Sequence, residues 1–187
     1  MARLLGTGRS AVREAIRQLI QEGLVAHELH RGAYVPVMSL ADRLDVYRAR
    51  EAIETGAVRQ ILERPEPVDT SGLREAVEAL RSAFARDGRL TDEGIAADIR
   101  FHQELVRLCG SPRLSRAHVT LAAETRILLR HHPVYPEADY VSDHERLLDA
   151  LERRDPDTPE LIAEHLRLSA RLIGAELARA TEGRPAA

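Results

Sequence analysis

A mostly α-helical protein is predicted: a small basic unit with one helix and a hairpin, then an all-α antiparallel bundle of about six helices. Three observations carry the prediction. Apolar residues recur at spacings of three and four along most of the chain, the period of amphipathic helices. Short stretches rich in proline or glycine divide it into segments of helical length. Aromatic residues make up only 3% of the 187 residues and there is no Trp, which suits a core packed by Leu, Ile, Val and Ala.

Composition narrows the class. A hydrophobic fraction of 44% with 30% charged residues is that of a soluble globular protein, and no apolar run approaches the roughly 18 residues of a membrane span. Cys109 is the single cysteine, so no internal disulfide can form and a cytoplasmic setting is expected. The net charge of −3 is unevenly spread. Residues 1–37 hold five Arg and three Glu, a net of +2, so the remainder carries −5. A basic end on an acidic body is a layout found in nucleic-acid binders.

The basic end centres on "GRSAVREAIRQLIQEGLV", residues 8–25. Ser10 is expected to cap a helix, and Val12, Ile16, Leu19 and Ile20 form its apolar stripe. Gly23 stops it as a left-handed residue. Arg9, Arg13 and Arg17 repeat every four residues away from that stripe, where like charges weaken the helix slightly. In "LVAHELHRGAYVPV" two short strands flank a polar tip containing Arg31 and Gly32. A helix with an arginine face followed by a basic-tipped hairpin is what a winged helix-turn-helix presents to DNA. A solvated helix face with Glu14 as partner is the plainer reading of the same arginines.

From Ser39 onward six helices are expected, over residues 40–62, 71–86, 95–108 (with a helix start at Thr91), 112–130, 138–153 and 158–180. "RPEPVDTSG", "DGRLTDEG", Gly110 and "HHPVYPEA" separate the first five. Short connections imply antiparallel neighbours. The expected organisation is a partial winged helix-turn-helix over 1–37, a helical domain over 38–182 and a disordered tail over 183–187.

Four polar residues fall on faces that ought to be apolar. Asp98 and His102 stand four apart on the third helix of the body and project side by side. His144 lies in line with Val141, Leu148 and Leu151. His165 lies within the stripe of Leu161, Ile162, Leu168, Leu172 and Ile173. Each would need its own partner if buried. Converging, one carboxylate and three imidazoles make a nitrogen and oxygen set suited to zinc, nickel or manganese; as separate features they are hydrogen-bonded core residues. His118, in line with Leu114 and Leu121, is a fifth candidate. His131 and His132 are expected to cap the end of their helix.

"LLGTGRSAVREAIRQLIQEGLV" resembles the signature of the GntR family of bacterial transcription regulators. The pattern is matched by Leu5, Gly6, Arg9, Val12, Arg13, Glu14, Ala15, Ile16, Leu19, Glu22, Gly23, Leu24 and Val25, and "RGAYV" resembles the family's wing. The resemblance implies DNA contacts from Arg9, Ser10 and Arg13 at the start of a recognition helix and from Arg31 and Gly32 on the wing. Arginine forks suit guanine O6 and N7 as well as phosphate. Gly8 stands where the family often has Ser or Thr, and Leu29 and His30 replace a frequent Pro-Gly.

"DIRFHQEL", "DHERLLDAL" and "AEHLRLS" resemble motifs of the metal-binding FCD ligand domain of the FadR-like branch. The resemblance places the metal ligands on Asp98, His102, His144 and His165, with His118 outside the motifs. "VYRAREAIETGA" is similar to that domain's opening helix. Val46, Arg50, Ile53 and Ala57 share a face, so Arg50 points inward, either to pair with Glu54 or another helix or to hold the carboxylate of a small organic acid beside the metal.

The function implied is a two-fold symmetric operator-binding regulator, a homodimer, governed by a divalent metal and an organic-acid effector, and not an enzyme. A metal-dependent hydrolase is the alternative. Against it stand four protein ligands and the lack of a spare acidic base, Glu104 and Glu145 pointing elsewhere. A metal-stabilised bundle without effector is a third reading. Residues 2–5 supply at most the end of the helix expected ahead of the recognition helix. The expectation is therefore a truncated reader whose Val12, Ile16, Leu19 and Ile20 face water on one side, and weak operator binding.

Overall fold

The computed structural model describes residues 6–87, 90–131 and 137–182, so the expected tail over 183–187, His132 and residues 2–5 lie outside the described residues. The chain divides into two units, Met1–Ser39 and Leu40–Ala187.

In the first unit, the basic stretch forms α1 (Arg9–Gln21), begun by Gly8 in extended conformation. Ser10 is not the cap. The helix starts earlier, Val12 N–H bonding the Gly8 carbonyl at 3.2 Å, and Ser10 falls inside the first turn. Gly8, Arg9 and Ser10 are all exposed, so water can satisfy the free amides and no side-chain cap is required. Gly23 has φ 76° and closes the helix as expected. Leu24 N–H donates to Leu19 O at 3.0 Å and Gly23 N–H to Ile20 O at 3.1 Å, the paired bonds of a Schellman ending that needs a left-handed residue.

Strands β1 (Ala26–Glu28) and β2 (Gly32–Tyr34) pair antiparallel, with Ala26 opposite Tyr34 and Glu28 opposite Gly32. The tip is Leu29, His30 and Arg31; Gly32 belongs to the first strand pair rather than to the tip. Arg31 N–H donates to Glu28 O at 3.2 Å and His30 has φ 71°, which makes 28–31 a type II turn. Pro-Gly is the natural sequence for that turn, so Leu29-His30 keeps its shape with His30 in a left-handed conformation.

The second unit contains six helices among the described residues: α2 (Leu40–Glu63), α3 (Ser71–Asp87), α4 (Asp92–Leu108), α5 (Pro112–His131), α6 (Glu137–Glu152) and α7 (Thr158–Glu182). Thr91 caps α4, its hydroxyl accepting from Gly94 N–H. Helix α2 packs along α7 and also touches α4 and α5; α4 lies between α3 and α5, and α6 bridges α3 and α7. The core includes Phe84, Phe101, Leu105, Ile162 and Leu166. No described helix is long and apolar enough to cross a membrane.

Two arginines tie helix ends together. The Arg154 guanidinium donates to Leu62 O at 2.8 Å and to Arg64 O at the end of α2. Arg64 donates to Leu108 O at 2.9 Å and to Cys109 O at the end of α4. Both place a cation on the orphaned carbonyls of a helix C-terminus. Gly110, at φ 75°, lies under Arg64, which an added Cβ would strike.

Candidate metal centre

The inward stripe of α2 is not the one expected from apolar spacing. Val46, Arg50, Glu54, Ala57 and Ile61 are buried, and Ile53 is only half-buried, so a glutamate occupies the core line. On α4, Asp98 and His102 are buried side by side; His144 from α6 and His165 from α7 join them. In α7 the buried line runs through Ile162, His165, Leu166 and Ser169, with Leu168 exposed; the side chain of Ile173 lies outside the described residues.

The three imidazoles offer ligand atoms that all lie within 4.8 Å of one another. Their ring centroids are 5.4 Å apart for His102 and His144, 5.3 Å for His102 and His165, and 4.8 Å for His144 and His165. Asp98 Oδ1 lies 3.1 Å from His144 Nε2 and 3.8 Å from His102 Nε2, and it accepts a 2.7 Å bond from the Tyr140 hydroxyl. The edge of Phe101 closes one side, its ring centroid 5.0 Å from that of His144.

Outside the cluster, His102 and His144 each have an acceptor at Nδ1, and His165 faces a carboxylate at longer range. His102 Nδ1 is 2.6 Å from Glu54 Oε2 and His144 Nδ1 is 2.8 Å from Tyr140 O. His165 Nδ1 is 3.9 Å from Asp143 Oδ2. With Nδ1–H donating outward, the Nε2 lone pairs of His102 and His144 are left for the centre. Both of these Nε2 atoms are buried with no aligned hydrogen bond; the 3.1 Å approach of Asp98 to His144 is close in distance but out of line.

Charge is managed tightly. Burial lowers His102 to about 4, against the pull of Glu54, and burial also lowers His165. These rings are therefore neutral at pH 7, as metal ligation requires. Burial alone would raise Asp98, but the close approach of the His144 and His102 rings, with Arg50 nearby, holds it below the usual carboxylate range. The same holds for Glu54, where Arg50, His102 and His118 outweigh burial.

Arg50 is 2% exposed. Its Nε donates to Glu54 Oε1 at 2.8 Å and its NH1 approaches Thr125 Oγ1 at 3.5 Å, while NH2 is buried without a hydrogen-bond partner. The pair with Glu54 is thus present, and one face of the guanidinium is left over. His118 Nε2 is 3.0 Å from Glu54 Oε1, which makes it a neighbour of the cluster through that carboxylate. Glu54, Tyr140 and Asp143 were not singled out by the sequence as parts of a site. The spacing of Glu54 from Arg50 was the available signal, and it pointed only to an ion pair.

In the first unit, Arg9, Ser10 and Arg13 are exposed on the first turns of α1. Arg17 pairs with Glu14 at 2.6 Å, so that arginine is partly neutralised. Arg31 lies over the Tyr34 ring, 3.8 Å from its centroid, and 3.4 Å from Glu28 Oε2; Tyr34 also bonds Glu28.

The FCD domain family matches residues 45–168. The chain is 29% identical over 171 residues, 88% of its length, to the "Probable D-xylose utilization operon transcriptional repressor" of Paenarthrobacter nicotinovorans, of which it covers 72%. It is 31% identical over 177 residues, 89% of its length, to an HTH-type transcriptional regulator in an unstable DNA locus of Streptomyces ambofaciens, covering 70% of that protein. Among solved structures it is similar to a "putative transcriptional regulator GntR from Rhodococcus sp. RHA1", with a TM-score of 0.80 at 27% identity, over 93% of this chain and 84% of that one. The helical body, its inward histidines and these likenesses lead to one assignment: the chain belongs to the GntR family of DNA-binding transcriptional regulators and carries an FCD domain.

Proposed function

We propose that this regulator is governed by a divalent ion held on Asp98, His102, His144 and His165, and by a small organic acid whose carboxylate meets Arg50. The carrying observation is the set of buried, unpartnered nitrogens. His102 Nε2 and His144 Nε2 have no aligned partner, and desolvating such atoms without compensation costs about 1–3 kcal/mol each. One carboxylate oxygen and three imidazole nitrogens fit zinc, nickel or manganese. Bound there, the ion would supply a fixed positive charge and open positions for an effector oxygen. The free NH2 of Arg50 offers a second, directional charge to the same carboxylate.

The chain's own residues do the remaining work. Glu54 and the Tyr140 carbonyl set the ring orientations, Tyr140 fixes Asp98, and Phe101 keeps water from one side. In the first unit, Arg9, Ser10 and Arg13 read the operator from α1, and Arg31 and Gly32 approach its backbone from the hairpin. Two copies of the chain bind two half-sites as a homodimer in the cytoplasm. The hydrolase alternative loses ground at Glu54. It is the one further buried carboxylate beside the histidines among the described residues, and its charge is already committed to Arg50, His102 and His118, which leaves it a poor base.

The test combines three readouts. His144→Ala and His165→Ala are each expected to cut metal content sharply, and full metal retention in the double variant would refute the site. A thermal-shift screen of organic acids, with and without metal, should find carboxylates that stabilise the wild type but not Arg50→Ala. Operator affinity measured by fluorescence anisotropy should respond to the same acids. Arg13→Ala should weaken it by about 1–3 kcal/mol if the arginine reads a base.

A further inference from the structure

Glu54 stands where the two halves of the proposed site meet. Its Oε2 faces His102 Nδ1 at 2.6 Å, and its Oε1 takes Arg50 Nε at 2.8 Å and faces His118 Nε2 at 3.0 Å. The side chain is fully buried, so no water competes for these contacts. An ionised carboxylate only accepts. His102 must therefore carry its proton on Nδ1 and His118 on Nε2. His102 then has its lone pair on Nε2, which is the buried, unpartnered atom facing Asp98 and His144. Arg50 and His118 hold the other carboxylate oxygen and keep it from rotating away.

We infer that Glu54 is the positioning residue of the metal centre: it fixes the ligating tautomer and ring angle of His102 and joins that ligand to the anion-binding Arg50. This inference rests on the metal reading above and adds a residue to it. A carboxylate behind a ligating imidazole raises the basicity of the ring and restrains its orientation. Arg50 also draws on the Glu54 charge. An anion arriving at the free Arg50 NH2 relieves that draw and leaves Glu54 a stronger acceptor for His102. Metal and carboxylate thereby favour each other, and the coupling is reciprocal.

The experiment titrates Co2+ alone into the full chain and follows its visible d–d bands, which report the number and geometry of ligands. Glu54→Gln is the direct variant. Because it leaves Arg50 as an unpaired buried cation, Arg50→Met/Glu54→Gln is prepared beside it as a neutral replacement, and circular dichroism checks that each folds. Removing a cation near the ion favours metal binding, so a loss in the double variant belongs to Glu54. The expected result is a Co2+ affinity about 10- to 100-fold weaker than wild type with shifted bands, in whichever variant folds. A folded variant that binds Co2+ within about threefold of wild type, well short of that range, with unchanged bands overturns the inference. If the wild type takes up no more Co2+ than His144→Ala/His165→Ala, the metal reading itself fails and this inference with it.

Discussion

The two units of the chain hold their shape by different means. In the first, no residue of α1 is buried, and order comes from local devices: the Gly23 ending, the type II turn at His30, the short ladder and ion pairs three residues apart. In the second, Phe101, Leu105, Ile162 and Leu166 are almost fully withdrawn from water, and ties span the sequence. The difference teaches that local order and apolar burial are separated here. The first unit keeps its polar surface exposed and locally fixed, while the helical body carries the apolar burial.

Core substitutions should expose that contrast most strongly. Leu105→Ala, at 1% exposure, is expected to cost about 2–5 kcal/mol by urea unfolding. Ile16→Ala, half-buried on α1, should cost well under half as much. Similar losses at both positions would break the comparison.

Metal should sharpen it further. Saturating zinc is expected to stabilise the body by about 4 kcal/mol at a thousandfold excess over Kd, seen as a higher melting temperature that a chelator reverses. The hairpin and α1 should not share in this gain, which amide exchange can resolve unit by unit.

Acid should weaken the metal-free body selectively. The unfolded chain protonates His102 near 6.5, whereas the folded site does so only at about 4. Between these values the unfolded state binds more protons, so stability falls as pH falls through that window. Asp98 and Glu54, held below their usual range, extend the loss to lower pH. Urea midpoints at several pH values in chelator would check this, and a flat profile between 6.5 and 4 would count against it.

The smallest effect belongs to the first unit. His30→Gly, at φ 71°, should relieve a left-handed side chain and stabilise the hairpin by up to about 1 kcal/mol. Slower exchange of the Arg31 and Tyr34 amides would show it; faster exchange would mean that His30 makes a contact worth more than the strain.

Much of the fold was legible because helix ends are written locally. Thr91, Gly110, Pro112 and Thr158 mark boundaries that the chain keeps to within a few residues. The four candidate ligands were legible for a related reason, being polar interruptions of apolar stripes. Glu54 was harder. A buried glutamate is recognisable only with its donors in place; Arg50 is local and suggests no more than an ion pair, while the two imidazoles arrive from α4 and α5, far along the sequence. Ser10 misled because the helix begins two residues before it, at Gly8, which leaves Ser10 inside the first turn rather than at the cap.

The position of the histidines on α4, α6 and α7 has a further consequence, for time rather than for energy. Helix α6 shares only a small contact with α7, less than α2 does, and a cleft of about 420 Å³ lined by Asp143, Leu147, Leu161 and His165 runs between them. An ion gripping His102, His144 and His165 would close a long loop of chain much as a cross-link does. The seam between α6 and α7 would then breathe slowly when loaded and quickly when empty. The lifetime of the closed seam, not only its strength, would set how long the regulator retains a signal after the ligand's concentration has changed.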